Sequence, residues 1–277
     1  MTAAPSMHAA SREALAAAEH RLDGVLSGSD ADAKTVGAEL AAFAQVLRRE
    51  VSLRRALADP SAAEAARVGL VRNLVGAKLS AATVQVLETV AESRWSNPRE
   101  LAGGVRTLAA DALLAAAEAD GKLDTVESEL FATARLLDRT PELEQALGDP
   151  AAPAEAKRQL VDSVFGGKVS PLTLSLIEQV VADPAGRSVA HGLDGIAELA
   201  AKRRERSVAH VTTAVPLTDD ERNQLADKLE RIYGRPIAVH VEVQPNVLGG
   251  IVVKVGDEVI DGSAAGRIAA LRGQLAG

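Results

Sequence analysis

Leu53-Arg54-Arg55-Ala56-Leu57-Ala58-Asp59-Pro60 returns as Leu143-Glu144-Gln145-Ala146-Leu147-Gly148-Asp149-Pro150, an offset of 90 residues. The same offset runs on without a gap through Leu70-Val71 and Leu160-Val161, Gly76 and Gly166, Lys78 and Lys168, Ser80 and Ser170, Thr83 and Thr173, and Glu88 and Glu178. Of the 38 positions from 53 to 90, 15 are identical to their mates. Chance in an alanine-rich chain gives roughly a tenth. The chain therefore contains one unit twice, and any fold assigned to it has to be assembled from that unit.

The unit is helical. Leu160, Val161, Val164 and Phe165, and then Leu174, Ile177, Val180 and Val181, recur at helix spacing and give each segment one apolar stripe. Ser170-Pro171 and Thr140-Pro141 each place a capping hydroxyl before a proline at the first helical position. Asp59-Pro60 and Asp149-Pro150 break one helix from the next. Connections this short pack neighbouring helices antiparallel. The predicted architecture is mainly α: a first bundle over 1–97, a second over 98–206, and a boundary at Arg94-Trp95-Ser96-Asn97-Pro98. The alanine-rich segment from Glu100 to Asp120 is expected to end one bundle and begin the other.

After Arg206 the apolar period changes from helical to alternating, which predicts a small α+β domain over 207–277. Ser207 to Val215 reads as a strand. Thr218-Asp219-Asp220-Glu221 is a capping box opening a helix that runs to Tyr233 and stops at Gly234. Ile237, Val239, Val241 and Val243 alternate with polar residues, as in a strand buried on one face. Short strands at 250–255 and 258–260 meet at Gly256-Asp257, a hairpin turn, and Ser263 opens a last helix to Leu275.

Composition narrows the function classes. Cysteine is absent, which removes thiol nucleophiles, disulfides and cysteine-based zinc sites. A net charge of −7 and 2% aromatic residues argue against a nucleic-acid binder, which needs a basic face and stacking platforms. No apolar run approaches the roughly 20 residues of a membrane-spanning helix. Met1 to Ala10 does not read as a secretory signal, so the cytoplasm is the default compartment.

The run Leu248-Gly249-Gly250-Ile251-Val252-Val253-Lys254-Val255-Gly256-Asp257-Glu258-Val259-Ile260-Asp261-Gly262-Ser263, followed by Arg267-Ile268, carries the most specific information in the chain. Its physical roles are those of folding: Gly249 and Gly250 free the backbone entering a strand, Gly256 supplies a turn, and Asp261 or Ser263 caps a helix. The run closely resembles the C-terminal signature of the ATP synthase delta subunit family, which includes the mitochondrial oligomycin-sensitivity-conferring protein. Each helical copy is similar to that family's six-helix N-terminal domain.

The resemblance implies a non-catalytic stator subunit with no cofactor. It would link the alpha/beta head to the b-subunit stalk against torque, peripherally on the cytoplasmic face of the cell membrane and attached only through the complex. Its implied partners are the N-terminal helices of alpha, with beta as a further candidate, and the b subunits. In the family an alpha helix lies between the first and fifth helices of the domain. Carried onto the second copy, that groove would use Leu108, Ala112, Leu174, Ile177 and Val181; the b helices would meet Ile260, Ile268 and Leu271. This chain departs from the family in having two helical copies and in lacking the opening aromatic, since Ser11-Arg12-Glu13-Ala14-Leu15-Ala16 stands there. The second copy is the expected alpha binder, and the first a spacer or additional clamp. A general helical adaptor is the alternative reading.

Other features have local explanations. Gly166-Gly167-Lys168-Val169-Ser170 lacks the order of a phosphate loop and reads as a helix end followed by a cap. The five histidines show no metal-ligand spacing; His210 and His240 can face each other on neighbouring strands, and solvent-facing positions are the favoured account. Lys202 to Arg206 suits the negative end of a helix, in preference to a patch for an anionic partner. The acids of Asp219-Asp220 and Asp257-Glu258 fall in a helix start and a turn, and Trp95 reads as a packing residue.

Overall fold

The computed structural model describes residues 7–28, 31–184, 188–206, 208–233, 237–244, 250–255 and 258–262. It divides into two compact units, residues 1–200 and 201–277. The first unit holds α1 (Ala9–Leu26), α2 (Ala33–Arg49), α3 (Val51–Leu57), α4 (Glu64–Val75), α5 (Ala81–Glu92), α6 (Pro98–Ala119), α7 (Leu123–Arg139), α8 (Pro141–Gly148), α9 (Ala154–Phe165) and α10 (Pro171–Ala182), and the division falls within α11 (Val189–Arg206). The mainly helical class read from the sequence is the one observed.

The repeat extends through the fold. At the 90-residue offset α2 becomes α7, α4 becomes α9 and α5 becomes α10, end for end. One core is built on α1 to α6 around Leu22, Leu40, Leu47, Leu87 and Leu108, and a second on α6 to α11 around Leu114, Leu130, Leu137, Val161 and Leu176. Helix α6 belongs to both. Its residues 108–117 are all buried, the helix being enclosed on every side. Leu101, Val105, Leu108, Ala109 and Ala112 enter the first core, and Ala110, Leu113, Leu114, Ala116 and Ala117 the second. The sixth helix of the first copy is thus the first helix of the second. Alanine makes this possible, because a helix packed all round needs short side chains to let its neighbours approach. At the nearest approach of α2, a Cβ on Gly37 would stand 2.9 Å from the Leu113 side chain and 3.2 Å from the Ala109 carbonyl.

The same polar device closes both bundles. Glu39 in α2 accepts from the Ser80 amide at 3.0 Å and its hydroxyl at 2.6 Å, and from the Thr83 hydroxyl. Glu129 in α7 accepts from the Ser170 amide at 3.1 Å and hydroxyl at 2.8 Å, and from Thr173. Ser80 and Ser170 in turn cap α5 and α10. Each carboxylate therefore ties the second helix of its copy to the start of the fifth.

Local starts and stops follow the sequence with one correction. Asn97 accepts from the amides of Arg99 and Glu100, both at 3.0 Å, to open α6 at Pro98. Trp95 is buried, donates from its indole nitrogen to the Val90 carbonyl at 2.8 Å, and lies against Gly104, where a Cβ would strike the ring. Gly167, at φ +69°, ends the helix before the Ser170 cap. Thr140, expected to cap α8 with its hydroxyl, makes no such bond. The capping carboxylate of that region is Glu144, which accepts from Val189 at 2.6 Å and Ala190 at 3.0 Å, at the start of α11.

In the second unit β1 (Val208–Thr213), α12 (Asp219–Tyr233), β2 (Ala238–Val243), β3 (Ile251–Val255) and β4 (Glu258–Asp261) form a sheet of order β2-β1-β3-β4. β1 and β2 are parallel; β3 is antiparallel to β1 and to β4. Thr218 and Glu221 close the capping box reciprocally, the Thr218 amide reaching the carboxylate at 2.8 Å and the Glu221 amide the hydroxyl at 3.2 Å. Ala209, Val211, Leu229, Ile237, Val253 and Val255 make the core. The expected Gly234 helix stop, the Gly256-Asp257 turn and the helix from Ser263 lie outside the described residues.

Candidate partner-binding surfaces

The five side chains assigned from sequence to a groove on the second copy do not share one open surface. Leu108 and Ala112 are fully buried and face the first core, because α6 turns that stripe toward α1 and α2. Ile177 and Val181 are buried in the second core. Leu174 alone is half-buried; like Leu160, Val164 and Val169 it packs against the second core. Helix spacing could not tell which core receives Leu108 and Ala112, since α6 is buried all round from 108 to 117.

Exposed apolar residues not singled out by the sequence reading include two on one helix. Phe131, 56% exposed, and Leu136 lie on α7, with the Arg135 guanidinium 5.2 Å from the Phe131 ring centroid. The 90-residue mate of Phe131 is Ala41, so the available signal was a small residue in one copy replaced by an aromatic in the other.

On the second unit, Ile260 is 39% exposed beside Val259 on β4, the edge strand of the sheet among the described residues. Of the signature residues, Gly250 takes φ +85°, a conformation that favours glycine, and the Gly262 amide donates to the Ile251 carbonyl at 2.9 Å next to Asp261. Gly249, Gly256, Asp257, Ser263, Arg267, Ile268 and Leu271 lie outside the described residues. His210 and His240 are register partners on β1 and β2, exposed, with ring centroids 6.0 Å apart.

Where the two copies meet, charge changes sign between repeat mates. In the first copy Glu88 pairs with Arg72 at 3.1 Å, and that hydrogen bond holds its carboxyl below the ordinary range. In the second copy Asp162 replaces the arginine. Burial raises the Glu178 carboxyl, with Asp162 adding to the rise and Arg158 opposing it. Glu178 lines a cleft of about 720 Å³ between α2 of the first copy and α9 and α10 of the second. The cleft is bridged at one end by Asp183, which accepts from Arg106 at 3.2 Å and lies 3.8 Å from Arg48.

Among the described residues no three or more His, Asp or Glu side chains gather as metal ligands, and no helix is long and apolar enough to cross a membrane. Two bundles fused through one helix, with apolar side chains offered on helix faces and a strand edge, make this a scaffold: a subunit that works by contact with neighbouring chains. The family model of the ATP synthase delta (OSCP) subunit matches residues 109–275, more than half of the chain. The ATP synthase subunit delta of Nocardia farcinica is 46% identical across 98% of this chain and 100% of its own length, and those of Streptomyces griseus and Corynebacterium diphtheriae are 43% and 44% identical with the same coverage. A chain of the Toxoplasma gondii mitochondrial ATP synthase hexamer covers 61% of this chain and 95% of its own, at 21% identity and TM-score 0.31. The chain belongs to the ATP synthase delta (OSCP) subunit family, a non-catalytic structural part of a membrane-bound complex. The family match starts within α6 and takes in the second copy and the sheeted unit; the first copy is shared with the full-length relatives.

Proposed function

We propose that this chain is a stator part of a rotary ATP synthase, holding the alpha/beta head to the b-subunit stalk on the cytoplasmic face of the membrane and resisting the torque of the shaft. The observation that carries this reading is α6. A load passing between two bundles joined by a flexible linker is absorbed by the linker, whereas here the bundles have a helix in common and both cores grip it. A stator needs a stiff body where it meets the head, and the shared helix makes the two bundles one such body.

Under this reading alpha's N-terminal helix meets the second copy, the part spanned by the family match, through half-buried apolar side chains such as Leu174. Amphipathic helices dock by setting apolar anchors against apolar surface of this kind. Contact with b would involve the β4 edge at Ile260. Titration calorimetry with a peptide of the alpha N-terminus tests the first contact: Leu174→Asp should weaken it by about tenfold or more, the cost of placing a carboxylate in an apolar interface. Undiminished binding would remove the second copy from the proposal. In reconstituted synthase, omission of the chain should leave ATP hydrolysis by the head and abolish coupled proton pumping.

A further inference from the structure

In the second copy a carboxylate of the chain itself sits against the start of the sixth helix, and in the first copy that repeat position falls to an arginine. Glu144 of α8 accepts from the amides of Val189 and Ala190, the first residues of α11. Its repeat mate is Arg54 of α3, and the mates of Val189 and Ala190 are Arg99 and Glu100 at the start of α6. There Asn97 takes both amides, so α6 is capped without the carboxylate. The exchange leaves Arg54 incompletely answered. Its Nη1 donates to the Leu47 carbonyl at 3.1 Å, while its Nε is closed off from solvent and has no hydrogen-bond partner among the described residues. A buried guanidinium donor without an acceptor is costly, and an acceptor brought to it removes the cost.

Arg54 lines a hollow of about 460 Å³ together with Val51, Arg55, Asn97, Pro98 and Arg99. Arg55 and Arg99 are exposed, and neither forms an ion pair with a described residue. Glu50 and Glu100 adjoin these residues in sequence but do not line the hollow, and Glu100 is engaged by His8 at 2.6 Å. Three cations around one opening, with no acid among its walls, are a local reversal on a chain of net charge −7. Val51, 43% exposed, adds an apolar wall. Guanidinium groups take carboxylates through paired N–H donors, and arginine clusters are a recurring means of reading acidic segments. The second copy, which carries its own carboxylate, has neither helix cation: the mates of Arg54 and Arg55 are Glu144 and Gln145.

We infer that this hollow on the first copy is a docking site for an acidic segment of a neighbouring chain, whose carboxylates pair with Arg54, Arg55 and Arg99 and whose apolar side chain lies against Val51. The incoming carboxylate supplies from outside the negative charge that Glu144 supplies within the second copy. The site shares no residue with the surfaces assigned above to alpha and b, and its test is independent of them. The probe is a capped tripeptide of one leucine and two glutamates, titrated into the full chain at constant ionic strength and followed by NMR of backbone amides and arginine Nε–H groups. It should bind saturably, with shifts gathered on residues 51–57 and the first turn of α6 and including the Nε–H of Arg54. Arg54→Glu combined with Arg55→Gln installs the second copy's residues and should weaken binding by about tenfold or more. A peptide with glutamines in place of the glutamates should lose binding to the same degree.

Folding controls separate recognition from damage. A glutamate and a glutamine already stand at these positions in the second copy, so the double variant should melt within a few degrees of wild type. Arg99→Gln changes an exposed side chain; it should leave the melting temperature unchanged and weaken peptide binding several-fold, and it decides the matter should the double variant unfold. No saturable shifts, an unchanged affinity in either folded variant, or equal binding of the glutamine peptide would overturn the proposal. So would inorganic phosphate or an RNA oligonucleotide that binds the hollow more tightly than the acidic peptide at the same ionic strength.

Discussion

The carboxylate that ties the second helix to the fifth offers the sharpest test of the repeated fold. Glu39→Ala strips three donors of their partner: the Ser80 amide, the Ser80 hydroxyl and the Thr83 hydroxyl. Each hydrogen bond to a charged group is worth about 1.5–3 kcal/mol in isolation. The three share one carboxylate at a partly exposed site, so solvent screening and re-solvation of the donors bring the expected loss to about 2–3 kcal/mol. For a unit of this size that lowers the melting temperature by about 4–10 °C. Glu129→Ala should cost about the same, since Ser170 and Thr173 repeat the arrangement. Because both cores hold α6, each variant should lower one common transition, followed by far-UV circular dichroism or calorimetry. Losses under about 0.5 kcal/mol in both variants, or two transitions of which each variant moves only one, would refute the reasoning.

The same group carries a pH signature. Burial pushes the Glu39 carboxyl upward, but the Ser80 and Thr83 hydroxyls and the Ser80 amide outweigh it, and the net shift is below the ordinary 4.5. A carboxyl depressed in the folded state stabilises fully above its unfolded value and loses that contribution as pH falls through its folded one. The stability gap between wild type and Glu39→Gln should therefore be complete at pH 7 and shrink only below about 4.5.

Gly37→Val should cost about 1–3 kcal/mol by forcing α2 away from Leu113 and the Ala109 carbonyl, measured by urea denaturation. Thr218→Ala removes one side of the capping box on α12 and should destabilise the sheeted unit by about 1 kcal/mol, read by hydrogen exchange in β1 and β2. Phe131→Ser replaces an exposed side chain and should change stability by no more than about 0.5 kcal/mol, while a partner that docks on α7 would bind the variant less well.

Much of this architecture was legible in the sequence because its signals are local or repeated. Ser170-Pro171, Asn97-Pro98 and Thr218-Asp219-Asp220-Glu221 fix helix starts through caps that need only neighbouring residues. The change to alternating apolar residues after Arg206 marks the sheeted unit. Residues whose role depends on which neighbour they meet were less legible. Leu108 and Ala112 carry the spacing of a helix face, but α6 has neighbours all round, so no stripe tells which bundle receives them. Glu39 and Glu129 are surface-type residues in a helical stretch, and their shared role emerges only when the 90-residue offset is followed upstream of Leu53.

A helix common to two bundles fixes their angular phase. Each residue of an α-helix advances about 100° around the axis and about 1.5 Å along it. Inserting a single residue between Leu108 and Leu113 would swing one half of the assembly about a quarter turn past the other, and inserting seven, close to two full turns, would nearly restore the bearing. The chain thus carries its own alignment gauge, and changes of length within α6 are the ones its geometry tolerates least.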